Sequence, residues 1–322
     1  MLLPSAGPAD PDPAPVRAVW GPTLERAAAA DPSAVPAAGD RVLLAGAADR
    51  WVVERVLPRR TDVVRAQVAA GSSHAQVLAA NADVAVVVEG MAPDVDLARV
   101  ERLLALAWAS GAQPLVVLTK RDLVALPDAL VREVAAVAPG ADVVSVSAVD
   151  DVGLQPLRDR LAAGGTLALL GASGVGKSTL LNALVGSETM RTRALRGDGK
   201  GRHTTVTREL HLVPGGGAVI DTPGIRTVGL SGQEALEDVF AEIDELSAGC
   251  RFSDCAHVSE PGCAVLDAVA SGDLPERRLR SYRKLVREAA HQAARVDARL
   301  RAAAAHEVKA RTKAYRRHTL RP

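Results

Sequence analysis

The sequence predicts an α/β protein: a mainly parallel sheet covered by helices, with a small β-rich unit before it and a helical unit after it. Three observations carry this. First, short continuous apolar runs recur at 83–88 (DVAVVV), 114–118 (PLVVL), 141–146 (ADVVSV), 166–170 (TLALL) and 217–220 (GAVI), with helix-period segments between the first four. Continuous Val/Leu runs suit strands buried on both faces of a parallel sheet. Second, a Gly-rich loop ending in Lys-Ser, GASGVGKS at 171–178, sits between one of these runs and the helical segment TLLNALV. Third, the three Cys all lie within residues 250–263, beyond the last apolar run.

In chain order, residues 1–15 are rich in Pro, Ala and Asp and read as a disordered lead. Residues 16–70 carry β-like runs, RVLLAG at 41–46 and WVVERVLP at 51–58, and read as a small β-barrel, short for five strands. Residues 71–230 hold the alternating strands and helices. Residues 231–322 begin with a predicted helix at 233–246, pass through the Cys/His cluster and end in Ala- and Arg-rich helical sequence. At 322 residues the chain has room for two or three domains. Aromatics make up only 2%, so the cores must be built from Ala, Val and Leu.

The loop at 171–178 fits G-x-x-x-x-G-K-[ST], which cradles phosphates. Gly171, Ala172, Ser173, Gly174, Val175, Gly176 and Thr179 would supply close backbone and helix N-terminal N–H groups. Lys177 would reach the β/γ-phosphates and Ser178 would hold Mg²⁺. DTPG at 221–224 follows the last apolar run, 43 residues after Ser178. It fits D-x-x-G, with Asp221 toward Mg²⁺ and the Gly224 N–H toward a γ-phosphate. TKRD (Thr119, Lys120, Arg121, Asp122) approximates N-K-x-D. Its Asp can accept from guanine N1–H and N2–H₂ together, a pair of donors that adenine lacks, and Lys120 would lie along the base. Thr119 replaces the usual Asn and loses its amide. Ser147 and Ala148 match a short loop whose backbone contacts guanine O6. TKRD comes about fifty residues before the phosphate loop, the reverse of the ordinary GTPase order, so the sequence predicts a circularly permuted P-loop GTPase domain. Between the two phosphate motifs lies RGDGKGRHTTVT (196–207), read as a mobile first switch loop in which Thr204 or Thr205 completes the Mg²⁺ shell. Ile225 occupies the position of the usual water-orienting Gln, and His203 is the nearest group able to accept from the attacking water.

Cys250-x4-Cys255-x-His257-x5-Cys263 is a Cys₃His set, expected to hold one structural zinc per chain, since four filled positions leave none open for chemistry. The net charge of +1 hides an asymmetry: from Arg277 onward there are 15 Lys/Arg and three acids. That basic segment favours a polyanionic partner. No run of about 18 apolar residues suggests a membrane helix, and no basic-then-apolar leader suggests secretion. A cytoplasmic protein is expected.

Together, GDRV, LPRRTDVVR, QVLAANAD, TKRD, GASGVGKST, GRHTT, DTPG and the Cys/Cys/His/Cys spacing resemble the ribosome small-subunit-dependent GTPase A family, over about residues 39–290. The resemblance implies an oligonucleotide-binding (OB-like) barrel, a permuted GTPase domain and a mainly helical zinc domain. It also implies GTP and GDP as ligands and GTP hydrolysis stimulated by the small ribosomal subunit. The partner would be that subunit and its 16S rRNA, met in late maturation by a monomer. Two other readings fit the residues. One is an RNA-binding assembly factor with a structural nucleotide site and negligible turnover. The other is a P-loop ATPase, against which Asp122 and Ser147-Ala148 argue.

Overall fold

In the computed structural model the described residues are 2–3, 16–47, 50–69, 72–186, 208–222, 224 and 234–291. The rest of the expected disordered lead, the 196–207 segment and the chain beyond 291 lie outside them.

The N-terminal unit is a four-stranded sheet plus a hairpin. Strands β1 (Leu2–Leu3), β2 (Val16–Trp20), β3 (Val42–Ala47) and β4 (Arg50–Val56) take the order β1-β2-β4-β3. A helix the sequence reading did not foresee, α1 (Pro22–Ala30), packs Leu24 on this sheet beside Val53, both buried. Pro at its first turn and the Ala run behind it are sufficient local cause. Strands β5 (Asp62–Ala69) and β6 (Ser72–Ala80) pair only with each other among the described residues, in a hairpin that straddles residue 70. The connection onward is tied by side chains. Arg59 forks onto the fully buried Asp40 carboxylate at 2.8 Å on both arms. Asn81 accepts from the Arg60 N–H and donates to the Gly39 carbonyl.

The central sheet contains β7 (Val84–Gly90), β8 (Gln113–Thr119), β9 (Asp142–Ser145), β10 (Thr166–Leu170), β11 (Glu209–Leu212) and β12 (Ala218–Asp221), ordered β11-β12-β10-β7-β8-β9. All pairs are parallel except β11 with β12. Every residue of β7 is buried, as the apolar run over 84–88 requires of all but its last two. One face carries α4 (Gln155–Ala162) and α5 (Lys177–Val185), which contribute Leu157, Leu161, Leu180, Leu181 and Leu184 to the core. The other carries α2 (Leu97–Ala109), with α3 (Pro127–Ala135) beside β9. The chain enters at the middle strand, β7, builds outward through β8 and β9, then returns to add β10 on β7's other side. The strand order therefore reverses between β7 and β10, the place where α/β sheets open a crevice at their carboxyl ends.

The C-terminal unit comprises α6 (Glu234–Val239), α7 (Ala241–Ser247), α8 (Ala264–Ser271) and a last helix α9 over 276–291. The single helix expected at 233–246 is two, broken at Phe240, whose φ of −120° leaves the helical region. Phe240 is fully buried, with the Arg278 guanidinium 4.4 Å from its ring centroid. This unit packs on α2 around one buried carboxylate. Glu101 accepts from Arg277 Nη1 at 2.8 Å, from Arg278 Nη1 at 2.9 Å and from the Ser281 hydroxyl. No described helix is long and apolar enough to cross a membrane.

Candidate nucleotide and metal sites

The loop Gly171–Gly176 leaves β10 at the crevice and runs into α5. A Cβ on Gly171 would lie 2.5 Å from the Val88 carbonyl oxygen of β7, so only glycine lets the loop pass that strand. Gly174 and Gly176 hold φ of +84° and +100°, left-handed conformations that a side chain would strain. Lys177 opens α5, 8% exposed, its Nζ donating to the Gly171 and Ala172 carbonyls at 2.8 Å each. Burial lowers the pKa of this ammonium, and Asp221 pulls it partly back. Ser178 and Thr179 follow, half-buried in the first turn.

Asp221 ends β12, opposite Leu169 of β10 and Glu209 of β11. Its Oδ1 is buried and has no hydrogen-bond partner among the described residues. Burial raises its pKa, against the attraction of Lys177 and His211. An orphaned carboxylate oxygen facing an ammonium beside a phosphate-type loop suits a hard cation with oxygen ligands. Thr222 donates its hydroxyl to the Leu169 carbonyl at 2.6 Å. Gly224 then passes so close to the phosphate loop that a Cβ would sit 3.0 Å from the Ser173 nitrogen.

The TKRD loop leaves β8 two strands away. Thr119 is buried, and its hydroxyl donates to the Val175 carbonyl inside the phosphate loop, with the Glu89 carbonyl 3.3 Å away. It therefore faces the phosphate loop, where it joins the two loops. Lys120 sits at φ +61°, its stem against Gly90 and its Nζ donating to the Ala92 carbonyl at 3.3 Å. Arg121 holds neighbouring elements together through the Ser145 hydroxyl and Asp128. Asp122 is exposed, its Oδ1 2.9 Å from Ser147 Oγ. That hydroxyl also lies 2.8 Å from Asp150 Oδ2 and accepts the Asp150 N–H. Ser147-Ala148 and TKRD thus form one connected rim. His203, Thr204 and Thr205 lie outside the described residues.

Sequence reasoning missed the support beneath this rim. Glu89, 1% exposed, takes both arms of Arg99 from α2 at 2.6 and 2.7 Å. An acid closing an all-apolar strand was the available signal.

The Cys₃His set converges. The ligand atoms of Cys250, Cys255, His257 and Cys263 all lie within 4.8 Å of one another. Cys250 Sγ is 3.8 Å from Cys263 Sγ and 3.6 Å from His257 Nδ1, and the Nδ1 is 3.4 Å from Cys263 Sγ. A tetrahedral zinc with bonds of about 2.3 Å to sulfur and about 2.0 Å to nitrogen would set these edges near about 3.8 and about 3.5 Å. The residues therefore fit a metal ion of that kind. Arg251 N–H to the Gly262 carbonyl closes the loop. Glu260 accepts three backbone N–H groups around His257, from Ala256, Val258 and Ser259, which hold its carboxyl down at about 2.

Part of the basic segment is used inside the protein. Arg277 and Arg278 serve Glu101, Arg278 also meets Glu242, and Arg102 of α2 pairs with Glu288.

A family model described as RsgA GTPase matches residues 56–231. The chain belongs to the RsgA GTPase family. A protein from Streptomyces avermitilis named small ribosomal subunit biogenesis GTPase RsgA is 55% identical over 279 residues, 84% of this chain and 74% of that protein. One of the same name from Methanosarcina acetivorans is 40% identical over 294 residues, covering 89% and 79%. Among solved structures, YjeQ from Thermotoga maritima matches with TM-score 0.59 and 28% identity over 85% of this chain and 90% of that one. YloQ, described as a circularly permuted GTPase, matches with TM-score 0.57 and 25% identity over 88% and 90%. The permuted GTPase fold expected from the motif order is the one this RsgA-family chain has.

Proposed function

We propose that this chain hydrolyses GTP in the biogenesis of the small ribosomal subunit, late in maturation, as a cytoplasmic monomer whose turnover the subunit stimulates. The observation that carries the reading is the gathering of the phosphate loop, the DTPG turn and the guanine rim along one sheet edge, with Thr119 bridging the loops. Asp122 selects guanine by accepting from N1–H and N2–H₂, held by Ser147, while Lys120 lies along the base. Backbone N–H groups of 172–179 take the phosphates, and Lys177 leaves its two carbonyls to meet the β/γ oxygens. Mg²⁺, held by Ser178, by Thr204 or Thr205 and by Asp221, would neutralise phosphate charge when bound with GTP. The Gly224 N–H meets the γ-phosphate.

Hydrolysis adds water to the γ-phosphorus and breaks its bond to the β–γ bridging oxygen, giving GDP and phosphate. His203 orients that water by accepting one of its hydrogens, since Ile225 cannot. A zinc ion at Cys250, Cys255, His257 and Cys263 is structural. The residues beyond α9 meet 16S rRNA phosphates, and that contact weakens as salt rises.

Co-sedimentation with ribosomal subunits tests the reading. More protein should travel with small subunits in a non-hydrolysable GTP analogue than in GDP. Equal association in both states would support a structural nucleotide site.

A further inference from the structure

Residues 91–96 join β7 to α2, and Arg99 in the first turn of α2 grips both ends of that connection. Its Nη2 and Nε donate to the Glu89 carboxylate at 2.6 and 2.7 Å, near the end of β7. Its Nη1 donates to Asp96 Oδ2 at 3.0 Å, and its backbone N–H donates to Asp96 Oδ1 at 3.0 Å. The Glu89 side chain is 1% exposed and that of Arg99 32%. A buried ion pair is a poor source of stability, since well-packed apolar residues of the same volume often serve as well or better. What a forked pair supplies is direction, because two parallel hydrogen bonds fix the guanidinium against the carboxylate.

The connection held in this way is the one on which Lys120 rests. Strands β7 and β8 are parallel neighbours, with Gly90 in register with Thr119. The Met91 N–H donates to the Thr119 carbonyl at 2.9 Å. Lys120 then lays its stem over Gly90, where a Cβ would stand 3.6 Å from the lysine Cδ and 3.5 Å from its Nζ. The Nζ donates to the Ala92 carbonyl at 3.3 Å. A flexible lysine stem keeps one direction only where its end is held, since fixing it costs rotamer freedom. We propose that Arg99 is a positioning residue for the guanine site: through Glu89 and Asp96 it sets the Ala92 carbonyl, which holds the Lys120 ammonium and keeps the stem along the base. This rests on the functional reading above, in which Lys120 lies along guanine.

The test is GDP binding by the full chain with Mg²⁺, read by displacement of a fluorescent GDP analogue. Arg99→Gln should weaken GDP about tenfold, the loss expected of one hydrogen bond to a charged group. Arg99→Lys keeps the charge and loses the fork, so it should fall between that variant and wild type. Lys120→Met keeps an apolar stem without the ammonium, and should also weaken GDP about tenfold. The combination decides. Added to Lys120→Met, Arg99→Gln should cost less than about a further twofold, because both changes cut one path. A role in general stability alone would make the two losses multiply, to about a hundredfold. That result, or undiminished GDP affinity in Arg99→Gln, would overturn the proposal.

If Arg99→Gln fails to fold because it strands the buried Glu89 carboxylate, Glu89→Gln joined with Arg99→Met carries the test. That pair removes the clasp with no charge left over, and should show the same loss and the same dependence on Lys120. Displacement by ADP separates the proposal from the reading beneath it. Variants that bind GDP and ADP more weakly at the wild-type ratio support it, since Asp122 still selects the base and the lysine stem serves either purine. A ratio that falls in the variants shows that the whole rim has moved, and overturns the assignment to Lys120. A wild type that takes GDP and ADP alike refutes the functional reading and the clasp together. A wild type that prefers GDP, beside variants of undiminished GDP affinity, refutes the clasp alone.

Discussion

Replacing Glu101 by Ala should detach the C-terminal unit from α2. The Glu101 carboxylate is fully buried, and so is nearly all of Arg278, at 3% side-chain exposure. Removing one member of a buried ion pair costs about 3–5 kcal/mol, because the other charge is left without its partner. Two features place this case at the low end, about 3 kcal/mol. Arg278 keeps Glu242 at 2.6 Å and the Val239 carbonyl at 2.6 Å. Arg277, 37% exposed, can turn to water. At about 1.4 kcal/mol per decade, that is roughly a hundredfold faster opening. Hydrogen exchange is the assay: amides of 276–291 should speed up by that factor, while those of β8, in the sheet's interior, should not. Pairing Glu101→Leu with Arg278→Met should recover much of the loss, since no charge is then stranded. An acceleration under about fivefold, or an equal change in β8, would show that the ion cluster does not hold the two units together.

Three further outcomes are expected. Asp122→Ala should cost GDP about 1–3 kcal/mol of affinity by leaving guanine's donors without an acceptor. Competition by ADP would then approach that by GDP, whereas unchanged discrimination would place base selection elsewhere. Cys255→Ser should lower the zinc content found by elemental analysis while nucleotide binding persists, because Val175 and α5 pack in the cluster on the other face of the sheet from Cys263; wild type purified without zinc would contradict the metal assignment. Asp221 is held above its ordinary pKa by burial. Such a group favours folding only at pH below its unfolded value, and at neutral pH the penalty for the charged form is fully present. Asp221→Asn should therefore raise the Tm of nucleotide-free protein at neutral pH and abolish tightening of GTP by Mg²⁺; a fall in Tm would mean the carboxylate is already paired.

Much of the sheet could be read from the sequence because its strands are buried on both faces and so spell themselves as unbroken apolar runs; β10 lies at the expected 166–170. Strand β11 escaped notice for the opposite reason. ELHL is an edge strand with three of four residues exposed, and its partner supplies the ordering. The phosphate loop was legible because its chemistry lies in consecutive residues. Thr119 was not, since replacing Asn reads as a loss until the Val175 carbonyl is seen beside its hydroxyl. The Glu101 cluster joins residues far apart in sequence, and no local pattern marks such a pair. The same cluster changes how the basic segment reads. Arg277 and Arg278 belong to the packing, so a deletion that probes rRNA contact should begin after residue 291, leaving α9 in place.

The central claim is that nucleotide turnover answers to the small ribosomal subunit. Steady-state GTP hydrolysis measured against small-subunit concentration, with large subunits as the control, tests it most directly. The protein alone should turn over slowly, the rate should rise and saturate with small subunits only, and His203→Ala should lower the plateau with little change in GTP affinity. No stimulation, or equal stimulation by both subunits, would contradict the account.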